Sequence, residues 1–208
     1  MPETPPSPTS ADAHDVDMTA LLGSRLCHDL ASPLGALNNG VELLELSQAA
    51  PSEEMALLRA TLDATLARLR FFRLAFGGGS ADGEVGAAEA SGIVAAMWRD
   101  SRRSVTWEDD APRPRSEIRL AFLALACVES ATPWPARVAV RRDGGGWVIE
   151  AAADRLKPLA HWDALDAGRV PSDLASAEVQ FGILAQAAAK MGRAASVTTS
   201  DTAIRLAI

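Results

Sequence analysis

The chain has 208 residues, 27 acidic against 20 basic side chains, a net charge of −7 and 48% hydrophobic residues. That balance carries no basic footprint for a phosphate backbone, so direct nucleic-acid binding is not expected. The length and apolar content suffice for one ordinary domain or two small ones without covalent staples. No run approaches the roughly 18 apolar residues of a membrane span. Cys27 and Cys127 lie far apart with no Cys-x-x-Cys or Cys/His ligand spacing, which indicates neither a disulfide framework nor a metal site and fits a cytoplasmic protein.

The first residues, "MPETPPSPTSADAHDVD", hold four prolines and neither a basic nor an apolar signal region, so residues 1–16 read as a disordered leader with an inert His14. From about Asp17 the apolar residues Leu26, Leu30, Leu34, Leu37, Val41 and Leu44 recur at helical spacing, which predicts a helix with one buried stripe. "SQAAPSEE" interrupts it, and Ser52 offers an N-cap with Glu53 and Glu54 in the first turn of a second helix. The stripe of that helix is Leu58, Leu62, Thr65, Leu69, Phe72 and Phe76, ending at the glycines from Gly77. Residues 17–77 therefore form a long antiparallel helical hairpin. A lone hairpin cannot cover both stripes, so a homodimer closing a four-helix bundle is expected.

Beyond the glycines the pattern changes. "EVGAAEASGIVAAMWRD" and "SEIRLAFLALACVESA" read as helices, and "SVTWED" as a strand. "RVAVRRDGGGWVIEAAA" reads as a hairpin turning at Asp143 to Gly146. A last helix from "DLASAEVQFGILAQAAAKMG" precedes a second hairpin, "ASVTTS" and "AIRLAI". The expectation for residues 84–208 is a mixed sheet with helices on one face, and the fold class as a whole is α+β. The tryptophans at 98, 107, 134, 147 and 162 all belong to this part as core and rim.

Placed on a wheel at about 100° per residue, His28 falls nearly opposite the first helix's buried stripe, among Leu21, Ser24, Ser32, Gly35 and Asn39. An imidazole standing clear of small neighbours can act as a nucleophile, because an ordinary imidazole is largely unprotonated near neutral pH. Asp29 can orient the ring by accepting its other N–H or can take up the proton. Pro33 removes a hydrogen bond to the Asp29 carbonyl, so the helix is expected to bend just beyond the histidine. In an antiparallel hairpin turning near Pro51, His28 lies level with about residue 72. Arg70 and Arg73 then either reach toward a phosphoryl group or remain solvated beside Phe71 and Phe72, and the same alternatives hold for Arg25. Ser32, Gly35 and Asn39 shape a docking surface. His161 in "LAHWDALD" has no matching ligand and reads as packed or surface.

The stretch "LCHDLASPLGALNNGVELL" resembles the phosphoacceptor box of dimeric histidine kinases: a histidine, an acid next to it, and a small polar residue and proline four and five positions on. With "ARLRFFRLAFG" in the second helix, the chain from about Asp17 onward resembles the alphaproteobacterial ChpT-type histidine phosphotransferases. The resemblance implies a dimeric bundle flanked by a degenerate histidine-kinase ATPase-like domain that does not bind ATP. The family's phosphoacceptor maps onto His28. Its partners would be the receiver domain of a hybrid histidine kinase and response regulators, in a cell-cycle relay of the CckA to CtrA/CpdR type.

Kinases of that superfamily hold Mg-ATP with a helix asparagine and a D-x-G-x-G loop. Here the asparagines are Asn38 and Asn39, both in the first helix; the corresponding later helix offers Glu129, and the loop position reads Asp154 then Arg155. "DGGG" at Asp143 has tight-turn chemistry and no P-loop occurs. No cofactor is therefore expected on this chain, with Mg²⁺ carried by the partner receiver. The alternative function is a non-catalytic dimeric protein that docks a kinase or receiver and inhibits it, with His28 incidental.

Overall fold

The computed structural model describes residues 18–47, 52–77, 83–99, 102–133, 135–158 and 160–208. The leader, the first loop at Pro51, the glycines beyond Gly77 and Trp134 lie outside the described residues. Two long helices, α1 (Met18–Ser47) and α2 (Glu53–Ala75), form an antiparallel hairpin. Ser52 caps α2 by accepting from the Met55 amide at 3.2 Å, and Glu53 and Glu54 sit at the positive end of its dipole. α1 continues as helix through Pro33.

The expected stripes split in the structure. Val41, Met55 and Leu62 are buried along the seam, with Leu34 and Leu66 packed on them. Leu26, Leu30, Leu37 and Leu44 stay 48–59% exposed. A stripe four residues wide is broader than one partner helix can cover, so the half turned away from α2 has no neighbour within the chain. α2 has a further demand on it. Phe71, and not the expected Phe72, is fully buried, because α2 also packs on α3 (Ala87–Met97) and α4 (Arg115–Ala131). Phe71 stacks on Phe122 at 4.9 Å and meets Trp98 edge-on at 5.4 Å, while Leu74 and Ala75 join the same core.

The rest is the α+β sandwich expected. A five-stranded sheet runs in the order β2 (Arg103–Trp107), β4 (Ala136–Asp143), β5 (Gly146–Ala153), β7 (Ala203–Ala207), β6 (Ser196–Thr199). The β2–β4 pair is parallel and the others antiparallel. Gly144 and Gly145 take φ of 56° and 89° in the β4–β5 turn, a conformation that glycine adopts without strain. α3, α4 and α6 (Val179–Lys190) supply the helical layer. Trp147, Ile149, Val140 and Leu206 are fully buried in the core between the layers.

Three boundaries differ from the sequence reading. Glu84–Val85 is β1, paired with β3 (Arg113–Pro114), so the expected helix from 84 starts only at Ala87. α6 begins at Val179 and not near Asp173, because Asp173 has φ 57° and Ser176–Glu178 is a 3₁₀ turn. The short α5 (Trp162–Asp166) was not anticipated. It buries Trp162 edge-on against Phe181 at 4.9 Å.

Candidate functional site

His28 leaves α1 on the side away from the exposed leucines, and its side chain is 84% exposed. Its Nδ1 lies 3.3 Å from Asp29 Oδ1, a hydrogen bond when Nδ1 carries the proton. The other carboxylate oxygen, Oδ2, accepts from Arg25 Nε at 2.8 Å. The bond from His28, with a smaller contribution from Arg25, holds the Asp29 carboxyl below its ordinary range. With the proton on Nδ1, Nε2 of this exposed ring keeps its lone pair, the form in which an imidazole attacks an electrophile.

Beside the histidine, the seam between α1 and α2 opens into a groove of about 280 Å³. Gly35 and Asn39 line it from α1, and Arg70 and Arg73 from α2. Four of the expected surface residues thus converge. Arg25 does not join them, because it is tied to Asp29, and Ser32 is exposed outside the lining. Cys27, Ala31 and Asn38 complete the α1 wall and were not singled out from the sequence. Their signal was there in outline: Cys27, Ala31, Gly35 and Asn38 repeat small or short side chains every three or four positions. Burial pushes the Cys27 thiol up, against a weaker pull from the charge of Arg73, so it is a protonated wall and not a thiolate nucleophile.

Other candidates are structural. His161 is packed against Phe181 with ring centroids 5.1 Å apart, and its Nε2 lies 3.1 Å from Glu178. Glu129, the acid of the helix considered for a nucleotide, accepts from Arg103 Nη1 at 2.9 Å; the same guanidinium donates to the carbonyls of Glu129 and Thr132. Asp154 and Arg155 line an open cavity of about 670 Å³ together with Lys157 and Asp201. Among the described residues no cluster of three or more His, Cys, Asp or Glu is placed to hold a metal ion, and no helix is long and apolar enough to cross a membrane.

Residues 87–203 match the family described as histidine phosphotransferase C-terminal domain. Over 164 residues the chain is 34% identical to protein phosphotransferase ChpT of Brucella abortus (strain 2308), an alignment covering 76% of this chain and 78% of that protein. It also aligns with a solved structure described as a bacterial phosphotransferase, at 27% identity and a TM-score of 0.63, across 90% of this chain and 93% of that one.

Proposed function

The chain belongs to the ChpT-type histidine phosphotransferases, and from that membership we propose that His28 is the phosphoacceptor through which it relays phosphoryl groups between receiver aspartates. The observation that carries this reading is the imidazole itself, 84% exposed, tethered through Nδ1 to a carboxylate and standing beside a groove with two arginines.

In the proposed step the Nε2 lone pair attacks the phosphorus of an aspartyl phosphate. The Nε2–P bond forms as the aspartyl O–P bond breaks, and the receiver's carboxylate leaves with the electron pair. The ring becomes a cation whose Nδ1–H remains bonded to Asp29, so the developing charge meets a carboxylate already in place. Reversal onto a second receiver passes the group on. Arg70 and Arg73 face the incoming phosphoryl group or the receiver's acidic pocket, Gly35, Asn39 and Ser32 shape the surface it docks on, and Arg25 holds Asp29. Mg²⁺ belongs to the receiver, where it neutralises charge on the transferring group.

Phosphate enters from the receiver of a hybrid histidine kinase and leaves to response regulators, in a cytoplasmic cell-cycle relay of the CckA to CtrA/CpdR type. ATP takes no part: Glu129 is committed to Arg103, and Asp154 is followed by Leu156 and Pro158 at the two positions where a D-x-G-x-G loop needs glycine. The working form is a homodimer. The exposed leucines of α1 and Leu58 and Phe72 of α2 meet those of a second copy in a four-helix bundle, and His28 on the far side of α1 stays clear.

The test is transfer of radiolabel from a receiver domain charged with acetyl phosphate. Wild-type chain should take up acid-labile label and His28→Gln none. Equal labelling of the two would discard His28 as the acceptor.

A further inference from the structure

We infer that Gly23 is a positioning residue for the transfer: bare main chain at this point lets α1 settle on the end of α2 and thereby fixes where His28 stands over the groove. The inference rests on the reading of His28 as phosphoacceptor. A Cβ at Gly23 would lie 2.9 Å from the Phe76 carbonyl carbon and 3.3 Å from Phe76 Cβ, and would overlap the Phe76 carbonyl oxygen. The neighbour is therefore backbone, which cannot rotate aside as a side chain can.

Phe76 is also firmly held. Its amide donates to the Phe72 carbonyl at 2.8 Å, its ring meets Phe72 edge-on at 5.4 Å, and it packs on the main core. Just before it, Leu74 and Ala75 are buried, and the Ala75 carbonyl accepts from Arg119 Nε of α4 at 3.3 Å. Among the described residues α1 rests mainly on α2, with no comparable anchor in the sheet region. Any added bulk at position 23 must consequently displace α1.

The other glycines of α1 support this assignment by contrast. Gly35 and Gly40 have open space where a Cβ would go, so neither is sterically required. A glycine inside a helix is unfavourable relative to alanine, and Gly23 is where the fold gives a reason for one. It lies five residues before His28, roughly 7.5 Å along the axis, on the seam face shared with Cys27, Leu34 and Val41. Restoring ordinary contact of about 3.5 Å to the Phe76 carbonyl carbon calls for a shift of about 0.6 Å, relieving the overlap with the carbonyl oxygen calls for more, and that shift moves His28 relative to Arg70 and Arg73. A misplacement of about 1 Å can cost on the order of 100-fold in rate.

The experiment compares Gly23→Ala with wild type and with Gly40→Ala, the same change made in open space, in single-turnover transfer from a receiver domain charged with acetyl phosphate. Phosphoramidate, a small donor that needs no docking, labels each chain in parallel. The expected result for Gly23→Ala is a receiver-dependent rate constant about 10- to 100-fold lower, a full final amplitude and unchanged labelling by phosphoramidate. A rate constant within twofold of Gly40→Ala would overturn the inference. So would a reduced amplitude at an unchanged rate constant, which would mean only that part of the protein is misfolded. If Gly23→Ala alone is too unstable to purify, the same comparison is made in the Gly40→Ala background, where the added helix propensity offsets the loss. His28→Gln runs alongside: receiver-dependent labelling of that variant would remove the phosphoacceptor reading itself, whatever Gly23→Ala does.

Discussion

Phe71→Ala should separate the role of α2 as a wall of the hairpin from its role as an anchor in the sheet region. The ring is fully buried, stacks on Phe122 at 4.9 Å and meets Trp98 at 5.4 Å. An aromatic side chain buries about 150–250 Å², which at about 25 cal/mol per Å² gives about 4–6 kcal/mol as an upper bound. Buried Phe→Ala deletions cost about 3–5 kcal/mol, including the cavity left behind. We expect about 4 kcal/mol, a large fraction of the about 5–15 kcal/mol that holds a domain together. Urea titration followed by tryptophan fluorescence measures it, since Trp98 lies against the deleted ring. A loss below about 1.5 kcal/mol at unchanged slope would show that the end of α2 does not depend on this core.

Leu30→Asp combined with Leu37→Asp should weaken self-association at least about 10-fold in Kd, because burying each leucine contributes about 1.5–3 kcal/mol; sedimentation that shows a monomer before the change would refute the bundle. Asp29→Asn should slow single-turnover transfer by roughly 10-fold. That is less than the usual 10²–10⁴ of a proton-transferring group, since Asp29 orients the ring, and a rate equal to wild type would remove it from the step. The Glu178 carboxyl is held below its ordinary value of 4.5, first by the hydrogen bond from His161 and then by the Ala175 amide. The unfolded chain therefore takes up this proton first as pH falls. The stabilisation is present above about pH 4.5 and disappears as pH drops through the lower folded value, so the melting midpoint of wild type should fall more steeply in acid than that of Glu178→Gln. Parallel curves would contradict it.

Much of this architecture was legible before any coordinates. The three-and-four spacing around Val41 and Leu62 gives the hairpin, and the glycines after Asp143 give the β4–β5 turn. What escaped depends on distant neighbours. Phe71 and Phe72 are equally apolar and adjacent, and the choice between them is made by Phe122 and Trp98, far along the chain. Glu84–Val85 becomes a strand because Arg113–Pro114 lies beside it, against a local pattern that reads as helix. At the site, the exposure of His28 follows from one helix wheel, and the placing of Arg70 and Arg73 at the level of Cys27 and His28 follows from hairpin register, whereas the reach of the same groove to Gly35 and Asn39 does not. The Arg25–Asp29 bond and the contact of Gly23 with Phe76 do not follow from either, because one is set by side-chain rotamers and the other by interhelical distance.

The central claim concerns a single nitrogen. Tandem mass spectrometry under conditions that preserve phosphoramidates, applied to the chain after incubation with a charged receiver, should find one phosphoryl group, on residue 28. A phosphoryl group on any other residue, with His28 unmodified, would contradict the account.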